Sequence, residues 1–200
     1  ANRLSRYAQE INPNTYIVFG GPEINKKPID EKIFFQKYSH VDMLIAGEGE
    51  LAFIQLIKIY LEEGRDSKKV RLRINELGNC FYINEQHQFV SGPRLSRIKH
   101  LDDIPSPYLN GYLDEFMLLD YNPLLQATRT CPYLCNFCVA GKDRGKLRSF
   151  PMDQIKEEID YIAKWNKNKP HVMLNLAELN FGINKQDPEI ASYLKKSSEN

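Results

Sequence analysis

The sequence predicts an α/β protein in two successive parts: a partial parallel sheet with a small β-hairpin, then a fresh start of strand and helix units. Two observations predict it. Short β-branched and aromatic runs at 15–19 (TYIVF) and 41–46 (VDMLIA) each enter a glycine turn and stand between helical patterns. After a proline-studded stretch, the same order of strand, loop and helix begins again at Leu124.

The first part opens with a helical pattern carrying Leu4, Ala8 and Ile11 on one stripe, stopped by Asn12-Pro13-Asn14. The strand at 15–19 runs into Gly20-Gly21-Pro22-Glu23. A segment with Ile33, Phe34 and Phe35 leads to the strand at 41–46, the turn Gly47-Glu48-Gly49-Glu50, and an apolar helix from Leu51 to about Glu63, which Gly64 ends. From Val70 to Val90 the pattern changes to strand-like runs, VRLRI, CFYI and QFV, the last two paired as a hairpin across Asn84 to His87. Residues 1–98 are thus expected to form one domain. Residues 99–121, with Pro105, Pro107 and Gly111 and no sustained period, read as a linker on the surface of a second domain over 122–200.

That second domain begins with a strand at 124–128 (LLQAT), followed by a loop rich in cysteine. Met152, Ile155, Ile159 and Ile162 then mark a helix to about Trp165 behind Pro151. A strand at 171–176 (HVMLNL), the loop AELNFGINKQ and a helix starting at Asp187-Pro188 complete the chain. This is the opening of a β/α barrel of the TIM type. A full barrel needs at least about 200 residues, so these can supply only the first two units, and the polypeptide is expected to be a fragment lacking both ends.

Bulk properties narrow the function. With 27 basic against 26 acidic residues, the chain lacks the basic field of a nucleic-acid binder, and a small-molecule substrate is expected instead. No apolar run approaches the roughly 20 residues needed to cross a bilayer, and the first ten residues lack a signal-peptide core. A cytoplasmic location without membrane or nucleic-acid partners follows as the expectation. Three of the four cysteines crowd into 131–138, which suits a metal or cluster site in a reducing compartment and not a disulfide framework. Cys80 stands apart and reads as a small core residue.

The motif is Cys131-x-x-x-Cys135-x-x-Cys138. A [4Fe–4S] cluster has four irons that each need an outer ligand, so three thiolates leave one iron open to a small chelating molecule. A zinc site of Cys₃His would need a fourth ligand, and the nearest downstream histidine is His171, beyond a helix and into a strand. The run Arg129-Thr130-Cys131-Pro132-Tyr133-Leu134-Cys135-Asn136-Phe137-Cys138, with an aromatic before its last cysteine, resembles the cluster loop of radical S-adenosylmethionine enzymes. That resemblance implies that Cys131, Cys135 and Cys138 hold a [4Fe–4S] cluster. S-adenosylmethionine would then chelate the open iron and be cleaved to methionine and a 5′-deoxyadenosyl radical, with Phe137 packing near the adenine. It further implies that Glu178 or Asn180, in the loop after the second strand, contacts the amino group of S-adenosylmethionine. The family loop more often has glycine where Thr130 stands. Arg129 and Arg148 are candidates to neutralise a carboxylate near the cluster.

The first domain, with Gly20-Gly21 and Gly47-Glu48-Gly49 after its strands and Asp42 in the second, resembles the carboxyl half of the cobalamin-binding Rossmann-like domain that precedes many of these barrels. Gly20, Gly21, Gly47, Glu48 and Gly49 are therefore the residues expected near cobalamin, since glycine lets backbone approach a large ligand. Leu101-Asp102-Asp103-Ile104-Pro105-Ser106-Pro107 is similar to the connection in that tandem. The resemblance implies cobalamin-dependent methyl transfer or a rearrangement of a small molecule, driven by a reducing electron donor such as flavodoxin or ferredoxin. Two other readings remain: a non-catalytic iron–sulfur or zinc-binding module, and a transfer RNA methylthiotransferase, suggested by Arg144-Gly145 and Arg148-Ser149. The latter family carries a second, upstream cysteine trio, where this chain has Cys80 alone.

Overall fold

The computed structural model describes residues 2–21, 33, 39–133, 135–138 and 146–198, and the chain divides into two compact units, 1–97 and 98–200. Pro22, Glu23, Phe34, Phe35, Leu134 and the Arg144-Gly145 pair, all named above, lie outside the described residues.

In the first unit β1 (Val18–Phe19), β2 (Met43–Ile45), β3 (Cys80–Ile83) and β4 (Phe89–Ser91) form one sheet in that order. β1 and β2 are parallel, with Val18 opposite Met43, while β3 and β4 form the expected hairpin and add to β2 antiparallel. The sheet is therefore mixed. Met43, Leu44 and Ile45 are all buried, which is why the run reads as continuously apolar and not alternating. Helix α2 (Glu50–Glu62) lays Ala52, Leu56 and Ile59 on this core, a spacing of four and three that keeps them on one face.

One expectation for this unit is corrected. VRLRI is not a strand: residues Ser67–Leu72 form a short helix, α3, and Ile74–Glu76 a 3₁₀ turn. The reason is local, because the Asp66 carboxylate accepts from the amides of Lys68 and Lys69 and caps a helix that hydropathy alone does not reveal. In helix α1 (Asn2–Ile11) the apolar stripe is not buried, with Leu4 74% and Ile11 69% exposed. The helix instead turns Ser5 inward, its hydroxyl 2.8 Å from His40 Nε2, and Gln9 donates to the His40 carbonyl.

In the second unit β5 (Leu124–Leu125) pairs in parallel with β8 (Asn175–Leu176), and helix α5 (Met152–Asn166) lies between them in sequence. Ile155, Ile159 and the Ile190 of α6 (Asp187–Ser198) close over Leu125 and Ala127. Residues 99–121, expected as a linker, hold a 3₁₀ turn at Leu101–Asp103 and helix α4 (Asp114–Met117), and they bury Leu101, Tyr108 and Met117 in this unit. The Tyr108 hydroxyl donates to the Leu124 carbonyl and accepts from the Leu124 amide, fixing where β5 begins. No described helix is long and apolar enough to cross a membrane.

Cys80 has no exposed surface, and burial pushes its thiol up to about 12. The thiolate is the reactive form, so Cys80 should be inert in the folded chain. Labelling near neutral pH with a maleimide, read by peptide mass spectrometry, should leave Cys80 unmodified until denaturant is added. Native-state labelling of Cys80 would contradict its placement in the core.

Candidate metal centre

The cysteine loop is held at its base by a change of strand partner. The expected strand at 124–128 is two strands: after β5 pairs with β8, the chain leaves that partner and β6 (Thr128–Arg129) pairs antiparallel with β7 (Arg148–Ser149). Thr128 sits opposite Ser149 and Arg129 opposite Arg148, and the Phe150 amide donates to the Ala127 carbonyl. The two-stranded clasp thus holds Thr130 and Leu147, the residues on either side of the cysteine segment, close together. The switch leaves the buried amides of Ala127 and Thr128 in need of acceptors. Glu178 supplies them: one carboxylate oxygen accepts from Ala127 N at 2.5 Å and Thr128 N at 2.8 Å, and the other from the Thr128 hydroxyl.

Thr130, the residue that stands for the family's glycine, has φ +87°. A β-branched residue seldom adopts that region, so the backbone reason for glycine is present here with a side chain attached. The Thr130 hydroxyl donates to the Lys146 carbonyl at 3.1 Å across the loop, which offsets part of the cost.

Cys131 is buried at 9% exposure, Cys138 is intermediate and Cys135 is exposed. The Cys138 amide donates to the Cys135 carbonyl at 3.0 Å, so these two share one turn. Phe137 on that turn is 91% exposed, an apolar ring available to a ligand. Among the described residues no set of three or more His, Cys, Asp or Glu side chains converges closely enough to hold a single metal ion. A cubane carries its irons at separate corners, so its thiolates stand farther apart than ligands around one ion, and three thiols on one loop can serve it. His171 pairs with Asp120 at 3.1 Å and precedes β8, whereas the cysteines follow the carboxyl end of its parallel neighbour.

The loop after β8 meets the cysteine loop. Asn180 Nδ2 donates to Cys131 Sγ at 2.9 Å. Downstream, the buried Asp187 carboxylate accepts from the amides of Gly182 and Asn184, and Asn184 Nδ2 donates to the Ser149 hydroxyl of the clasp. Of the two residues expected to face the amino group of S-adenosylmethionine, Glu178 is engaged by the strand-switch amides and Asn180 lies against a cysteine sulfur. Arg129 donates to Gln126 and stacks its guanidinium over Phe150, and Arg148 donates to the Ile98 carbonyl.

In the first unit, Gly20-Gly21 and Gly47-Glu48-Gly49 leave the same end of the parallel pair β1 and β2, the carboxyl end where such sheets bind ligands. Gly21 and Gly47 have φ of +98° and +72°, and a Cβ on either would meet no atom of the described residues within 4 Å. Beneath them the Asp42 carboxylate accepts from the Ile17 amide at 2.8 Å and pairs with Arg71 at 3.2 Å, tying β1 to β2. Burial raises its pKa above the ordinary carboxylate value, against the Ile17 amide and Arg71, which lower it.

No family model matches the chain. Across 98% of its length it is 31% identical to TokK, a cobalamin-dependent radical SAM methyltransferase of Streptomyces tokunonensis, of which it covers 28%. The chain is similar to enzymes of the radical SAM, cobalamin-dependent type. Over 96% of its length it is also 31% identical to the 2-(S-pantetheinyl)-carbapenam-3-carboxylate methyltransferase of Streptantibioticus cattleyicolor, covering 27% of that protein. It therefore spans little more than a quarter of the length of these two curated relatives. The fold agrees with that of the cobalamin-dependent S-adenosylmethionine radical enzyme OxsB, solved with aqua-cobalamin and S-adenosylmethionine, at a TM-score of 0.60. That likeness covers 97% of this chain and 26% of OxsB at 18% identity.

Within this kinship, three residues that shape the site were not singled out from sequence as site residues: Thr128, Asn184 and Asp187. Asp187 carried a signal, since Asp before Pro marks a helix start, but that signal does not disclose that its carboxylate also pins the preceding loop. Replacing Glu178 with Ala strands two buried amides at about 1–3 kcal/mol each. Urea unfolding followed by the fluorescence of Trp165, the only tryptophan and a residue of the second unit, should show a loss of at least about 2 kcal/mol, and a smaller one for Glu178→Gln. Thr130→Gly should stay within about 1 kcal/mol of the parent, because relief of about 1–3 kcal/mol of backbone strain balances the lost hydroxyl bond and the freer unfolded chain. Thr130→Val keeps the strain and loses the bond, and should be less stable than either by the same measurement.

Proposed function

We propose that this chain carries the cluster-binding opening of a radical S-adenosylmethionine methyltransferase and the adjoining part of its cobalamin domain. The observation that carries the reading is the three-cysteine loop set on the carboxyl end of a parallel strand, in a chain akin to TokK along 98% of its length. Residues 1–98 would be the carboxyl part of the Rossmann-like domain, 99–121 its connection, and 122–200 the first two units of the barrel.

Cys131, Cys135 and Cys138 would hold a [4Fe–4S] cluster with one iron open. When bound, the cluster supplies the electron that splits the sulfonium of S-adenosylmethionine, and cobalamin supplies the methyl carrier. The exposed ring of Phe137 offers a stacking face to adenine. Glu178 fixes the entry to the cysteine loop, so its role is to position the loop, and Asn180 keeps a carbonyl oxygen suited to an ammonium group. The open turns at Gly20, Gly21, Gly47 and Gly49, with Glu48 between them, are where a ligand as large as cobalamin can meet backbone directly. For the whole protein we propose methyl transfer to a small molecule, with a low-potential donor such as flavodoxin or ferredoxin.

Anaerobic reconstitution of the chain with iron and sulfide tests the reading. It should give about four irons and four sulfides per chain and a visible charge-transfer absorbance, lost on replacing any of Cys131, Cys135 or Cys138 with Ala and kept in Cys80→Ala. Retention of one zinc per chain in place of a cluster would overturn it. Release of 5′-deoxyadenosine from S-adenosylmethionine by the intact enzyme separates catalysis from a cluster-binding module, which releases none.

A further inference from the structure

We infer that Asn180 is a positioning residue that sets the reduction potential of the cluster through its hydrogen bond to Cys131. The inference rests on the reading of the three cysteines as cluster ligands and goes beyond it. Asn180 was expected to meet S-adenosylmethionine, and in the structure its Nδ2 lies 2.9 Å from Cys131 Sγ. An amide N–H donating to a thiolate stabilises whichever oxidation state puts more negative charge on that sulfur. Adding an electron to the cluster does so. The bond therefore favours the reduced form and raises the potential, hydrogen bonds to sulfur being one of the protein's main levers on such clusters.

Three features of the structure make this bond a strong candidate for that control. Cys131 is the buried member of the trio, so although Asn180 itself is exposed, its bond ends on a sulfur in a lower dielectric than that of the exposed Cys135. The loop that carries Asn180 is held on both sides, by Glu178 on the amides of Ala127 and Thr128 and by Asp187 on the amides of Gly182 and Asn184. Asn184 further ties it to Ser149 of the clasp, so donor and sulfur belong to one braced framework and little ordering is needed to form the bond. Finally, the amide has a second end. With Nδ2 on the sulfur, Oδ1 can accept from an ammonium, which would couple the tuning of the cluster to the seating of its ligand.

The test is a redox titration of the reconstituted chain, wild type against Asn180→Leu, followed by visible absorbance and by the electron paramagnetic resonance of the reduced cluster. With equal iron and sulfide content, the leucine variant should shift to a more negative midpoint. At the poise where the wild type is half reduced, it should be reduced several-fold less. Asn180→Asp keeps the size of the side chain and sets a carboxylate against the thiolate, so it should shift in the same direction, and it serves where the leucine variant loads poorly. Equal midpoints in wild type and loaded variants overturn the inference while leaving the cluster assignment intact. Failure of the wild type to load any cluster overturns both, so the two failures are told apart by the iron content of the parent chain.

Discussion

The second unit depends on one carboxylate. A strand that exchanges one partner for another must cross a gap in which its amides have no ladder to join, and here the gap falls at Ala127 and Thr128. Glu178, projecting from the loop after the neighbouring parallel strand, takes both amides and the Thr128 hydroxyl. An anion accepting several donors in a partly buried place forms stronger bonds than a neutral acceptor would, and it holds two segments about fifty residues apart in sequence at a fixed distance. That join, together with the Asn184 bond to Ser149 and the burial of Phe150 beside Leu125, sets the clasp of β6 and β7 against the parallel pair.

What the join positions is a loop whose chemistry is otherwise only a spacing of cysteines. The clasp brings the ends of residues 130–147 together, Thr130 turns the chain through a left-handed conformation, and the first thiol comes to rest against Asn180. The remaining two thiols share a turn nearer to solvent. The loop is thus asymmetric, with one braced and shielded sulfur and two accessible ones. Such an arrangement suits a cluster that must be both tuned by the protein and reached by a small ligand.

The first unit uses a different device for a related end. Its Asp42 carboxylate, just before β2, accepts from the Ile17 amide just before β1 and pairs with Arg71 of α3, while the two glycine turns stand at the carboxyl end of that strand pair. In one unit a carboxylate braces the entry to the cysteine loop, and in the other it ties together the starts of two parallel strands.

Much of this was legible in the sequence, because the signals are local. The cysteine spacing, the apolar runs that become β1, β2, β5 and β8, the stripe of Ile155, Ile159 and Ile162, and the start at Asp187-Pro188 all depend on residues a few positions apart. Local signals also misled. The stripe of Leu4 and Ile11 marked a helix but not its buried face, and VRLRI looked like a strand until the Asp66 cap made it a helix. The sequence by itself limited the chemistry to that of a metal or cluster site, since three thiols at spacings of three and two constrain the ligand group whatever surrounds them. Only the tertiary structure decided which groups Glu178 and Asn180 meet. Their partners lie about fifty residues away, and no periodicity records which amides a strand leaves without acceptors, or which sulfur a distant side chain will reach.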